Sequence, residues 1–389
     1  MENAQARTTV TDQAKVQDII SRMDRAHETP MFHRIVTLVA AGMLMDSIDV
    51  YIGSAVASST LATRWSTVAQ NSTFMSAGFL GLLVGSLLSG FVGDLKGRRV
   101  AYQINLLLFG GFTFLGAFAP NMAVLSLCRL GAGLGLGAEI VTGFAMVNEF
   151  APMNRRGHWC AIVSLVANCG VPIAMLLCAW IIPRWSWRPL FVAIGLVAAI
   201  IWWLRRDIPE SPRWLAVRGR YDEADAIVKQ LEANGSEPID AAAKADTSDT
   251  RNAGGRSLGI CLLVAVVAVA ATNVCSYAFT SWVPTILVKR GINLSSSLLT
   301  STVMMLGAPV GCLIGSLLID RRKRTIVPAF LFTGVFGLMY AFQTSTVSAI
   351  IVGFLLMMCL YVLMASVVAV YAPELFATKV RFRCVGFAN

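Results

Sequence analysis

Ten long apolar runs govern what this chain can fold into. They lie near 34–58, 71–92, 100–119, 122–148, 158–182, 188–204, 258–287, 297–319, 326–342 and 347–371. Each is long enough, or nearly so, to cross a hydrocarbon layer of about 30 Å, which takes roughly 20 helical residues. Strands are excluded, because spanning β segments are about 10 residues long and alternate in polarity. Composition agrees: 56% of the 389 residues are hydrophobic and 14% charged, against roughly 45–50% and about 25% in soluble domains. The fold class expected is an all-α membrane protein with ten transmembrane helices.

The fourth run contains RLGAGLGLGAE, Arg129 to Glu139, within which Gly133-x-Gly135-x-x-Ala138 matches a dinucleotide-binding fingerprint. That fingerprint has physical meaning only after a strand and at the start of a helix, where glycines let backbone N–H groups approach a pyrophosphate. Here it sits inside an apolar helix with no strand before it. The glycines are expected to let a neighbouring backbone come close. Nor is the first run expected to be a signal peptide: it begins only at Arg34, is too long for one and carries Asp46 and Asp49.

Basic residues set the orientation. With a cytoplasmic amino terminus, 26 of the 32 lysines and arginines fall in inside segments, five fall outside (Arg64, Arg184, Arg188, Lys289, Arg290), and Arg129 lies in the membrane. This is the positive-inside pattern, with both termini cytoplasmic. The net charge of +10 is then a match to anionic lipid and needs no nucleic acid. The nine cysteines are scattered singly with no C-x-x-C, which suggests neither a disulfide framework nor a zinc site. His27, His33 and His158 all fall near membrane boundaries and read as solvated interfacial side chains.

The chain divides into a cytoplasmic segment 1–33, a first bundle 34–205 of six helices, a cytoplasmic connector 206–257, and a second bundle 258–389 of four. In the first segment Val16, Ile19, Ile20 and Met23 share one helical face before Pro30, a stripe suited to the inner membrane surface. In the connector, Ala224, Ile227, Val228 and Leu231 form a helical stripe, while 234–256 reads as flexible.

The two bundles repeat each other. GFVGDLKGRR follows the second span and GSLLIDRRKR the eighth, with Asp94 and Asp320 226 positions apart. NEFAPMNRRG follows the fourth span and PELFATKVR the tenth; Glu149 and Glu374 are 225 apart, each seven residues before an arginine, Arg156 and Arg381. Two independent features at nearly one offset indicate parallel repeated halves, as in secondary transporters of two six-helix bundles.

Three motifs make the resemblance specific: Gly90, Asp94, Gly97, Arg98 and Arg99 as G-x-x-x-D-x-x-G-R-R; PESPRWL from Pro209 to Leu215; and Pro373, Glu374 and Arg381 as P-E-x6-R. Over residues 34–389 the chain resembles the major facilitator superfamily, in its sugar-porter-like and metabolite:proton symporter branches. The pair in DSID, Asp46 and Asp49, resembles aromatic-acid and niacin-type symporters. The resemblance implies alternating-access transport of a small molecule by a monomer in a cytoplasmic (inner) membrane. Two departures stand out. Leu95 replaces the family's basic residue after the first-loop aspartate, with Lys96 and Arg322 available to compensate. The family has twelve spans and this sequence ends at Asn389, where the eleventh would begin; it is expected to be either a fragment or a truncated product, and a ten-helix product is expected to transport poorly or not at all.

Ionisable groups within the hydrocarbon carry the chemistry, because each costs about 2.5–3.5 kcal/mol on insertion scales and faces a cavity or a partner. There are four: Asp46 and Asp49 in the first span, Arg129 and Glu139 in the fourth. Helical rise puts Asp49 and Arg129 close enough in depth to pair. Glu139 lies about 6 Å to the cytoplasmic side of the midplane, with no evident basic partner. Glu139 or an aspartate of the first span is expected to bind a coupling proton. Arg129 is expected to attract an anionic substrate or to release the proton by engaging that carboxylate. The alternative is a fixed ion-pair network that orients the helices.

At the helix ends, Asp94, Arg98, Arg99, Glu149, Arg156, Glu210, Arg213, Asp320, Glu374 and Arg381 are expected to latch a cytoplasmic gate through opposite charges and helix dipoles. Asn168, Asn273, Tyr277 and Tyr361 are candidates to line the cavity. Trp180, Trp185, Trp187, Trp202 and Trp203 read as interface anchors. No metal-ligand cluster, cofactor motif or nucleophile–base constellation is found, so neither a cofactor nor an enzyme is expected. The reading is a proton-coupled importer of a small organic acid or related metabolite. A sugar-type uniporter, a drug antiporter and a non-transporting nutrient sensor remain as alternatives.

Overall fold

The computed structural model describes residues 2–25, 28–153, 155–233, 258–318, 322–343 and 345–371, and among them there is no strand. The helices are α1 (Glu2–Arg25), α2 (Pro30–Ala62), α3 (Val68–Lys96), α4 (Arg98–Gly116), α5 (Met122–Phe150), α6 (Arg156–Trp185), α7 (Arg188–Arg205), α8 (Pro212–Val217) and α9 (Tyr221–Ala233). They continue with α10 (Leu258–Lys289), α11 (Leu294–Met305), α12 (Gly307–Leu317), α13 (Arg322–Ala341) and α14 (Thr346–Leu363), the last running into a π-helical turn at Met364–Tyr371. Among the described residues, each of the ten apolar runs falls largely on helix. Eight spans among the described residues are long and apolar enough to cross a membrane, the eighth-run candidate being Leu294–Leu317 with a local break at Leu306 between α11 and α12. α13 offers a shorter apolar stretch, Ile326–Ala341, and α4 has 19 residues and opens on two arginines. His27, the connector from 234, Asp320, Glu374, Arg381 and the chain end lie outside the described residues.

The chain forms two compact units. One comprises Met1–Asp46, Val68–Ala167 and Arg188–Ala243; the other comprises Ser47–Thr67, Asn168–Trp187 and Lys244–Asn389. In the first, glycines set the helix packing. A Cβ at Gly81 or Gly85 of α3 would collide with the backbone carbonyl of Leu130 or Leu134 on α5. In return, Gly133 and Gly137 of α5 meet the carbonyls of Gly78 and Leu82 on α3. Gly135 points the other way, and a Cβ there would stand 2.6 Å from the Asn105 carbonyl oxygen of α4. The fingerprint glycines therefore serve two helix contacts, which is what small residues do in lipid, where no hydrophobic force draws helices together.

The second unit packs α12 on α14 by the same device. Gly307 and Gly311, each 226 positions after Gly81 and Gly85, lie against the carbonyls of Phe354 and Met358. Helix starts are fixed locally: the Asn121 side chain accepts from Val124 N at 3.0 Å to cap α5, and Asn293 accepts from Ser296 N at 2.8 Å to cap α11.

α1 departs from expectation. Its stripe faces protein: Ile19 and Met23 are buried in one core with Phe32, Leu215, Ala216, Ala224, Val228 and Leu231, so α1 docks on α8 and α9. An amphipathic stripe is satisfied equally by lipid or by a matching helix pair, and α9 supplies the match through the Ala224, Val228 and Leu231 face. Trp180, Trp185, Trp202 and Trp203 are exposed on the surface, whereas Trp187 is buried and packs on Trp65 with ring centroids 5.6 Å apart.

Candidate functional site

The gate residues of the first half meet in one network at the predicted cytoplasmic end of the first unit. Gly97, between α3 and α4, has φ +98°, and the Glu210 carboxylate occupies the space its Cβ would need. Glu210 Oε1 accepts from Arg98 N at 2.8 Å and Arg99 N at 3.1 Å. The acid of PESPRWL thereby caps the positive N-terminus of α4. Arg98 Nη1 donates to Asp94 at 2.7 Å and its Nε donates to Glu149 at 3.1 Å. Arg99 donates to the Arg206 carbonyl.

Asp24, which sequence reasoning did not single out, ties the network to α1. Its Oδ1 accepts from Arg156 and from Arg213, each at 2.5 Å, while Arg213 Nε also donates to the Glu149 carbonyl at 3.1 Å. Next along, Glu28 accepts from Arg155 at 3.0 Å and Trp159 Nε1 at 2.9 Å. α1 adds Arg22, which binds Asp225 at 2.6 Å and both oxygens of Glu232 at 2.8 and 2.6 Å.

Deeper in the same unit, Glu139 has a basic partner after all. Arg205, the last residue of α7, donates through Nη1 to Glu139 Oε1 at 2.5 Å, and both side chains have no solvent exposure. Arg205 Nη2 donates to the Leu38 carbonyl of α2 at 3.0 Å, and its guanidinium lies 3.9 Å from the centre of the Tyr102 ring of α4. Gly42 of α2 makes the room: a Cβ there would stand 2.7 Å from Glu139 Oε1 and overlap the guanidinium itself. Asp46, one turn further along α2, is buried and within electrostatic reach of Arg205 and Tyr102. Glu139 Oε2 is buried without a hydrogen bond. Losing either partner of such a pair costs about 3–5 kcal/mol, since the other charge is left uncompensated.

The expectation that Glu139 lacks a partner fails because Arg205 counts, in sequence, among the loop anchors. A signal did exist. Phe191, Ile194, Ala198, Ile201 and Arg205 are all buried, and their helical spacing extends the inward stripe of α7 to its final residue. Arg129 is buried too, with its guanidinium 5.8 Å from the Phe74 ring centre and its stem against Gly78. In the second unit Asp49 is fully buried. There the hydroxyls of Tyr51 and Tyr361 share a 2.7 Å hydrogen bond, with Tyr277 and Cys312 among their electrostatic neighbours. Asn168 donates to Cys312 Sγ at 3.0 Å. Three cavity candidates thus gather around Tyr51, which sequence reasoning missed. The fourth, Asn273, is on α10 one turn before Tyr277, with its Oδ1 buried.

Close-packed spanning helices that carry a desolvated ion pair in their interior define a multi-pass membrane protein of the kind that moves polar solutes or ions. The chain belongs to the major facilitator superfamily, whose family model matches residues 38–389. It is similar to the inner membrane metabolite transport protein YdjE of Escherichia coli, 33% identical over 95% of this chain and 85% of that protein. It is also similar to the niacin transporter NiaP of Acinetobacter baylyi, 28% identical over 96% of this chain and 86% of that protein. Its fold matches the xylose transporter XylE of E. coli in a partially occluded inward-open conformation, with a TM-score of 0.70 at 16% identity over 92% of this chain and 89% of that one. The protein is a membrane transporter, not an enzyme.

Proposed function

We propose that the protein imports a small organic acid or related metabolite together with a proton, by alternating access, as a monomer in the inner membrane with both termini cytoplasmic. The observation that carries this reading is the buried carboxylate Glu139, held against Arg205 with one oxygen open. A carboxylate at that depth can take a proton from one side of the membrane and release it to the other as access alternates. Arg129 supplies the second buried cation, which attracts the substrate anion. The niacin-transporting relative, whose named solute is a small aromatic acid, supports the substrate class. The network of Asp94, Arg98, Glu149, Arg156, Glu210 and Arg213 acts as the cytoplasmic gate, with Asp320, Glu374 and Arg381 as its counterparts in the second half.

The test is uptake into proteoliposomes of labelled nicotinate, other aromatic acids and short aliphatic acids, with xylose for comparison, under an imposed pH gradient acid outside. One acid should accumulate only while the gradient lasts. Glu139→Gln should abolish that accumulation while substrate exchange at equal concentrations continues. Accumulation of xylose alone, or of any solute regardless of the gradient, would sink the reading.

A further inference from the structure

The geometry points to Arg205 as the positioning residue that converts proton uptake into helix movement: it exchanges its carboxylate partner, Glu139 on α5 for Asp46 on α2, when Glu139 takes the proton. This rests on the proton-coupled reading above and names how that site is regulated from within. A guanidinium stays protonated at all relevant pH values. Once Glu139 is neutral, Arg205 therefore keeps a full charge in a dry interior and must find another anion. Among the described residues, the titratable groups that act on it electrostatically are Glu139 from α5, Tyr102 from α4 and Asp46 from α2. Of these, only Asp46 is a second carboxyl.

The route is prepared. Leu38, Gly42 and Asp46 are spaced four apart and share one face of α2. Arg205 already holds the Leu38 carbonyl on that face, and the bare backbone at Gly42 lets the guanidinium lie flat against the helix. The planar fork grips α5 with one nitrogen and α2 with the other. Neutralising Glu139 releases the α5 grip and leaves the α2 grip, so the two helices are uncoupled. Loss of the proton restores the bridge. The Tyr102 ring face beneath the guanidinium keeps the cation in place during the exchange.

The experiment compares wild type, Arg205→Gln, Arg205→Lys and the double variant Glu139→Gln/Arg205→Gln in proteoliposomes with labelled nicotinate. Gradient-driven uptake and equilibrium exchange are each normalised to folded protein. In Arg205→Gln uptake should fall by about tenfold or more while exchange stays within about twofold. Arg205→Lys, which keeps the charge but not the fork, should retain part of the uptake. The double variant removes Arg205 without stranding the Glu139 charge, so it tests the idea even where the single variant fails to fold; it too should exchange without accumulating. Recovery of gradient-driven uptake in the double variant would show that the pair only holds the helices in place. Loss of exchange there would assign Arg205 to substrate binding, and either result overturns the inference. Wild-type uptake indifferent to the gradient would instead remove the proton-coupled reading beneath it.

Discussion

Gly97 occupies the left-handed region because α3 must turn sharply into α4, and the Glu210 carboxylate stands where a side chain would go. Gly97→Ala is therefore expected to carry two penalties: about 1–3 kcal/mol for a backbone conformation (φ +98°, ψ 158°) that is essentially glycine's alone, and up to about 1 kcal/mol for the displaced charge at the α4 N-terminus. Thermal unfolding in detergent should show the loss, and Glu210→Gln should show only its smaller second part. Single residues also mark the limit of what sequence reveals. Arg205 and Arg206 are adjacent and identical in composition, yet one side chain is fully buried and the other 58% exposed. Hydropathy sees two anchors closing an apolar run. Only the inward phase of α7 tells them apart, and that phase is weakly expressed in a helix apolar on most sides. Asp46, Asp49, Arg129 and Glu139 were legible because charge inside a span is costly wherever it faces. Their partners were not, because depth along a helix fixes neither its rotation nor its neighbours.

At the scale of elements, α1 is held to α9 by a charge cluster that predicts its pH response. Hydrogen bonds from Lys229 and Arg22 hold the Asp225 carboxyl below its usual range, and Arg22 does the same for Glu232. Both groups bind a proton less readily when α1 is docked. Their contribution is therefore complete above the ordinary carboxyl range near pH 4 and is lost as pH falls below it. Hydrogen exchange of α1 should be flat from pH 8 to about pH 5, after correction for the intrinsic rate, and should lose protection only in stronger acid. Met23→Asp should undock α1 at neutral pH by placing an unpaired charge in the shared core. The glycine contacts make a second prediction. Gly85→Leu and Gly311→Leu should each destabilise the fold by at least about 1–3 kcal/mol, because the carbonyl opposite belongs to backbone and cannot step aside. The α1 helix was legible as a helix; its receptor was not, since an apolar stripe does not name what covers it.

For the whole molecule, the repeat is the feature that sequence exposed most fully. The aspartates found 226 apart predicted related halves, and the same offset relates Gly81 and Gly85 to Gly307 and Gly311 in the two helix contacts. The topology predicted from basic residues is open to test by single cysteines placed at Arg64, Gly291 and Arg220 in a background without native cysteines. An impermeant maleimide added to intact cells should label the first two, and Arg220→Cys only after permeabilisation. Biosynthesis gives the clasp of α1 a further consequence. Arg22 and its partner Glu232 are 210 residues apart, so at about 5–20 residues per second the ribosome delivers the partner some 10–40 s after Arg22. Throughout that interval the nascent Ile19 and Met23 lack their final seat. α1 is thus seated only after α2 to α9 have been made, although it precedes them in the chain.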